Sequence, residues 1–233
     1  MVIGQHSANG DILFIEPICR HIWQKTGVKP ILPVRDHLMW LSNHIESADF
    51  RPMSQFKLDY DSIDNSNPDY LPLRFANQIV RGLSPHDHSD YANTMPDKYE
   101  LAGLPLELWK TLKFTYSEYK GVRLMSELGL SLTDRYILIN ENSQAGNISI
   151  NPDNPNGYKV IKMREMHGYP LLDWTLVIKL AQENHHISTS TFFIMEFLKL
   201  ETPIYLYPRP NEDGLQGISK LNPSFNYKIG LCE

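Results

Sequence analysis

The sequence predicts an α/β protein made of two halves, each carrying a parallel sheet. Three observations point there. Residues 1–36 read as strand, turn, helix and strand, the repeating unit of a parallel sheet. Residues 135–208 alternate strand and helix throughout. A weakly patterned stretch separates the two, and the pattern resumes near Leu130–Arg135, so the expected domains are 1–132 and 133–233.

The elements follow in order. MVIGQH (1–6) is a short strand, and Ser-Ala-Asn-Gly-Asp (7–11) is a turn. ILFIEPICRHIWQKTG (12–27) places Ile12, Ile15, Ile18, Cys19, Ile22 and Trp23 three and four apart, the mark of a helix with one buried face. Pro17 kinks that helix or sets its true start, and Gly27 suits its C-cap. KPILPVRD (29–36) is a strand and LMWLSNHI (38–45) a short helix. FKLDYDSI (56–63) reads as a strand, and YLPLRFANQIV (70–80) as strand or helix. The polar run 84–105 reads as a long loop, and long loops in compact domains are often functional. Residues 106–130 are helical by pattern, with Gly121 as a weak point or a break. In the second half, RYILINEN (135–142) and YKVIKM (158–163) are strands, with turn chemistry at Gly146 and 151–157. LLDWTLVIKLAQENHH (171–186) is a helix, HHISTS (185–190) a short strand into a turn, TFFIMEFLKL (191–200) a helix and TPIYLYP (202–208) a strand. The tail from Asn211 is weakly patterned, and no internal repeat is present.

Composition narrows the function classes. The chain has 233 residues, 42% of them hydrophobic, enough for a packed core. A net charge of −5 and the lack of any dense Lys/Arg run argue against a nucleic-acid binder, which needs a basic face. Two distant cysteines, Cys19 and Cys232, make a disulfide framework improbable and a reducing, cytoplasmic setting the expectation. No signal peptide and no membrane-spanning run is expected. Walker A, G-x-G-x-x-G, C-x-x-C and G-x-S-x-G motifs are absent, which lowers the standing of P-loop kinases, redox enzymes and serine hydrolases.

Four groupings have chemical potential. Ser188-Thr189-Ser190-Thr191 sits between a strand and an apolar helix. Hydroxyls and free N–H groups at a helix N-terminus suit a phosphate, although one such residue alone would be an ordinary cap. Asn9-Gly10-Asp11 lies at the first strand-to-helix turn, where open α/β sheets bind ligands; Asp11 there serves equally as a cap. His86 and His88 flank Asp87 in the polar run, and His185 and His186 precede the hydroxyl turn. His-x-His in a loop is too common to specify a metal, and contact between His185 or His186 and a ligand is the stronger expectation. Lys162, Arg164 and Arg209 each follow a strand of the second half, a position from which a cation neutralises a diphosphate.

The order of three stretches carries a family resemblance. NGDILFIEPICRHIWQKTGVKPILPV opens the chain, MPDKYELAGLPLELWKTLKFTYSEYKGVRLMSELGL leads into YILINEN, and LLDWTLVIKLAQENHHISTSTFFIMEFLKLETPIYLYPRP closes the patterned region. Together they resemble glycosyltransferases of the GT-B fold, nearest in style to the ADP-heptose lipopolysaccharide heptosyltransferase type, in shortened form. The resemblance implies two Rossmann-like halves facing across a cleft, with the second half reduced. It implies a nucleotide-sugar donor on the C-terminal half and a glycan or other hydroxyl acceptor on the N-terminal half. Metal is not generally needed in that fold, so no cofactor is expected. The family's general base maps onto Asp11, and its hydroxyl-bearing donor turn onto Ser188, Ser190 and Thr191. Asn140, Asn142, Lys162, Arg164, His185, His186, Thr189 and Arg209 complete the expected donor side; Asn9, Gly10, His86 and His88 form the acceptor side. The family's Asp-Ser-Gly before the donor helix reads Thr189-Ser190-Thr191 here.

The expected reaction is inverting sugar transfer. Two rivals keep the same fold: a nucleotide-sugar 2-epimerase using Glu141, Glu165 and His185, and a binding protein without chemistry.

Overall fold

The computed structural model describes residues 1–5, 8–55, 67–83, 91–143, 146–210 and 215–230. The strand expected at 56–63, together with His86, His88 and Cys232, lies outside them. The chain divides into two compact units, Met1–Thr115 with Gly217–Leu221, and Tyr116–Gln216 with Asn222–Glu233. The expected boundary at 132/133 therefore lies inside the second unit.

The first unit contains β1 (Val2–Ile3), α1 (Asn9–Thr26), β2 (Ile31–Val34), β3 (Asp49–Pro52), β4 (Tyr70–Leu71), α2 (Ala76–Arg81) and α3 (Thr94–Leu101). All its strands are parallel, in the order β3-β2-β1-β4, a Rossmann-like half with a switch of direction beside β1. Residues Ile12 to Cys19 of α1 are buried all round, so this helix fills the unit's interior instead of showing a single apolar face. Phe14 lies between Tyr99 and Trp109, at ring-centroid distances of 5.0 and 6.1 Å. Gly27 ends α1 in the left-handed region at φ 73°, its N–H donating to the Trp23 carbonyl at 2.8 Å.

The second unit contains α4 (Glu118–Glu127), β5 (Tyr136–Asn140), β6 (Asn142–Ser143), β7 (Gly146–Asn147), β8 (Lys159–Lys162), α5 (Thr175–Leu180), β9 (Glu183–Ile187), α6 (Thr191–Leu198), β10 (Ile204–Tyr207) and β11 (Lys228–Ile229). Its main sheet is wholly parallel, ordered β11-β10-β9-β5-β8, while β6 and β7 form a small antiparallel pair. This sheet carries five strands. One face meets the helices, as in the Tyr136 hydroxyl donating to the Val177 carbonyl of α5 at 2.6 Å. On the other face Ile137, Ile139, Ile187 and Tyr207 pack with Ile150, with Ile148 and Tyr158 against them. Irregular chain thus covers part of a surface that a doubly wound sheet would give to helices.

Several elements differ from the sequence reading. The polar run 84–105 contains α3, because its charged residues are paired inside the unit. Arg81 holds the fully buried Asp97 with two 2.7 Å bonds, and Lys98 meets Asp11. Residues 106–130 are not one helix. A 3-10 turn at Leu106–Thr111 gives way to extended chain, and α4 starts afresh after Ser117, whose side chain accepts from the Lys120 N–H at 3.2 Å. Gly121 is a close-packing site, not a break: a Cβ there would stand 2.6 Å from Leu176 Cβ. The helix expected to reach His186 stops at Leu180, and Glu183–Ile187 enters the sheet as β9 between β5 and β10. Residues 70–80 hold both a strand and a helix, and the helix expected at 38–45 is a 3-10 helix, Asp36–Asn43. Among the described residues no helix is long and apolar enough to cross a membrane.

Candidate functional site

A parallel sheet brings the carboxyl ends of its strands to one edge, and ligands settle where the strand order reverses. In the second unit the reversal falls between β5 and β9. Asn140 pairs with His186 across these two strands, and Ile139 pairs with Lys162 of β8 on the other side. Asn140 ends β5 at this edge, and the chain leaves β9 there into Ser188-Thr189-Ser190 and α6.

Here the hydroxyl turn closes onto β5. Asn140 Nδ2 donates to Thr189 Oγ1 at 3.2 Å, and Thr189 and Thr191 hydroxyls are 3.3 Å apart. The first turn of α6 uses the N–H groups of Phe192 and Phe193, which donate to the carbonyls of Thr189 and Ser190. Among the described residues, the N–H groups of Thr189, Ser190 and Thr191 make no backbone hydrogen bond, and Ser190 supplies no side-chain cap. Three successive N–H groups at a helix start present a concentration of positive dipole. Ser188 adds a buried hydroxyl with no hydrogen-bond partner among the described residues. Its carbonyl accepts from Arg209 Nε at 2.7 Å, which anchors that guanidinium beside the turn.

The other donor-side candidates take different positions. His186 is fully buried, with Nδ1 3.0 Å from Thr191 Oγ1 and Nε2 3.2 Å from Asn184 Oδ1; burial lowers its pKa to about 3. His186 and Thr191 therefore line the core beneath the turn and do not present themselves to a ligand. His185 points to the opposite face of the sheet. It stacks on Tyr205 at 4.3 Å, bonds the Tyr207 hydroxyl at 3.0 Å, and sits 3.3 Å from Glu183. Burial lowers its pKa, against the raising pull of Glu183. Lys162 is committed to Glu141 at 2.8 Å, and Glu141 also accepts from the Ile150 N–H. These two bonds hold the Glu141 pKa down, against the raising effect of desolvation. Asn142 donates to the Met163 carbonyl at 3.0 Å, while Arg164 and Glu165 are exposed. Glu141 thus bonds Lys162 and the Ile150 N–H, and His185 bonds Tyr207 and Glu183.

In the first unit, Asn9, Gly10 and Asp11 form the opening turn of α1, beyond the carboxyl end of β1. Asn9 Oδ1 is buried without a hydrogen-bond partner among the described residues. Asp11 Oδ1 meets Lys98 Nζ at 2.5 Å. The Lys98 side chain is only 2% exposed, and its other described neighbour is the Met95 thioether sulfur at 3.7 Å. Sequence reading missed Lys98 altogether; the one available signal was the helical spacing of Met95, Lys98 and Tyr99. It also missed Asn184, taken there as part of a helix. Among the described residues no three His, Cys, Asp or Glu side chains converge as metal ligands would.

No protein-family model, no curated protein and no solved structure matches this chain.

Proposed function

We propose that the chain is a glycosyltransferase of the GT-B type, moving a sugar from a nucleotide-sugar donor to an acceptor hydroxyl with inversion and without a metal. The observation that carries this reading is the turn at the β5/β9 reversal, with three N–H groups at a helix start that make no backbone hydrogen bond among the described residues, and Arg209 anchored beside it. Such a turn suits the two negative charges of a departing diphosphate. The second unit then takes the donor, and the first unit the acceptor. Asp11 takes the acceptor proton on Oδ2, since Oδ1 is held by Lys98. The acceptor oxygen bonds to the anomeric carbon as the bond from that carbon to the phosphate oxygen breaks, and the electron pair leaves with the nucleoside diphosphate.

The test is release of nucleoside diphosphate from a panel of nucleotide sugars, with and without sugar acceptors. Turnover that needs an acceptor is expected, and Arg209→Met lowers kcat/KM by about 100- to 1,000-fold, the size of a lost contact to developing charge. Conversion of one sugar nucleotide into its epimer without acceptor would replace transfer by epimerisation. Nucleotide binding without turnover on any pair would leave a binding protein.

A further inference from the structure

The hydrogen bonds beneath the turn have a direction, and one buried residue sets it. Asn184 Nδ2 donates to the Ile178 carbonyl at 3.3 Å, near the C-terminal end of α5, where helix carbonyls lack intrahelical partners. A carbonyl only accepts, so the Asn184 amide is fixed with Oδ1 toward His186 Nε2 at 3.2 Å. An amide oxygen also only accepts, so Nε2 bears the ring hydrogen. Burial keeps the ring neutral, which leaves Nδ1 bare, and the Thr191 hydroxyl must donate to it at 3.0 Å. Thr191 Oγ1 has then spent its hydrogen, so it accepts from the Thr189 hydroxyl, and Thr189 Oγ1 accepts from Asn140 Nδ2.

The relay runs in one sense, Asn140 to Thr189 to Thr191 to His186 to Asn184 to Ile178. Both threonine hydrogens point into the unit, and neither is left to donate to a ligand. We infer that His186 is a positioning residue for the α6 turn: locked as its Nε2–H tautomer, it orients Thr191, Thr189 and Asn140 so that a bound diphosphate meets backbone N–H groups and no threonine hydroxyl donor. The ligand half of this inference rests on the diphosphate reading above.

The test uses the whole chain and pyrophosphate as the probe. Nitrogen NMR of the His186 ring is expected to show a protonated Nε2 and a bare Nδ1 at neutral pH. A Nδ1–H tautomer, or a charged ring, overturns the relay. His186 is fully buried, so the variants are made at its partner. Pyrophosphate should shift the amide resonances of Thr189, Ser190 and Thr191. Thr191→Ser, which keeps the hydroxyl, should bind like wild type; Thr191→Val should bind about five-fold more weakly, the effect of one lost orienting hydrogen bond. Thr191→Val binding as tightly as wild type refutes the positioning role. The expected tautomer with no pyrophosphate response refutes the diphosphate site and the ligand half of the inference, while the relay itself stands.

Discussion

Replacing Asp11 by Asn strips the counter-ion from a lysine that has almost no access to water. The side chain of Lys98 is 2% exposed and that of Asp11 23%. Removing one partner of a buried ion pair costs about 3–5 kcal/mol, because the remaining charge stays uncompensated. The lower end applies here, since the Asn oxygen still accepts one hydrogen bond, so Asp11→Asn is expected to destabilise by about 3 kcal/mol. Lys98→Met behaves differently: it removes the buried charge, keeps an unbranched chain, and leaves a carboxylate that water reaches, at a cost of about 1 kcal/mol. The double variant carries no charge at either position and should resemble Lys98→Met. The cycle then gives a coupling of about 3 kcal/mol. Urea denaturation followed by tryptophan fluorescence measures it in a Trp174→Phe background, where Trp23, Trp40 and Trp109 all lie in the first unit. An Asp11→Asn variant within about 0.5 kcal/mol of its parent would refute the argument, as would a double variant less stable than Asp11→Asn. The same logic governs any catalytic test of Asp11. Lost activity in the single variant mixes chemistry with unfolding, whereas the double variant removes the base without stranding a charge.

Two further outcomes follow from the second unit and its helices. His186 has its pKa lowered to about 3 by burial, while the unfolded chain titrates near the ordinary 6.5, so the unfolded state binds the proton first. Stability should be complete above that ordinary value and fall by about 1.4 kcal/mol per pH unit as pH drops below it toward 3, with His185 adding in the same direction. Urea midpoints measured between about pH 7 and 5 should show this slope, and His186→Gln should flatten it; an unchanged slope in that variant would assign the acid loss elsewhere. Gly121→Ala in α4 places a methyl 2.6 Å from Leu176 Cβ. Crowding of about 1–3 kcal/mol should outweigh the gain of about 1 kcal/mol from the better helix former. A rise in thermal midpoint would mean that the α4–α5 spacing is looser than the structure has it.

What the sequence revealed depended on how far each signal was local. β5 was legible because Tyr136, Ile137, Leu138 and Ile139 are buried on both faces and read as an unbroken apolar run. The end of α1 was legible because Gly27 takes a backbone conformation that favours glycine. α3 was not, since Asp97 and Lys98 look like solvent-facing loop residues until Arg81 and Asp11, distant in sequence, neutralise them. β9 was legible only at its end, His185–Ile187, and its start was hidden for a similar reason. Asn184, His185 and His186 are polar residues in a strand interior, satisfied by Ile178, Tyr207 and Thr191. The hydroxyl turn could be found from the sequence, as four hydroxyl residues precede an apolar helix. The sense of its hydrogen bonds could not, because that is set by a helix carbonyl reached only through the folded sheet. β11 carries just two paired residues, Lys228 and Ile229, too few to show a period.

The division of the first unit bears on how the chain is made. Its residues are Met1–Thr115 and Gly217–Leu221, so its last piece is translated about a hundred residues after the rest. That piece buries Ile218 and Leu221, and Lys220 bonds the side chain of Asn93 at the head of α3. At synthesis rates of about 5–20 residues per second, the nascent first unit waits roughly 5–20 s for it. During that interval the second unit's sheet is emerging beside a neighbour that still lacks a segment of its own. Vectorial synthesis thus imposes an order that refolding from denaturant does not: β5 to β10 leave the ribosome before the first unit can close.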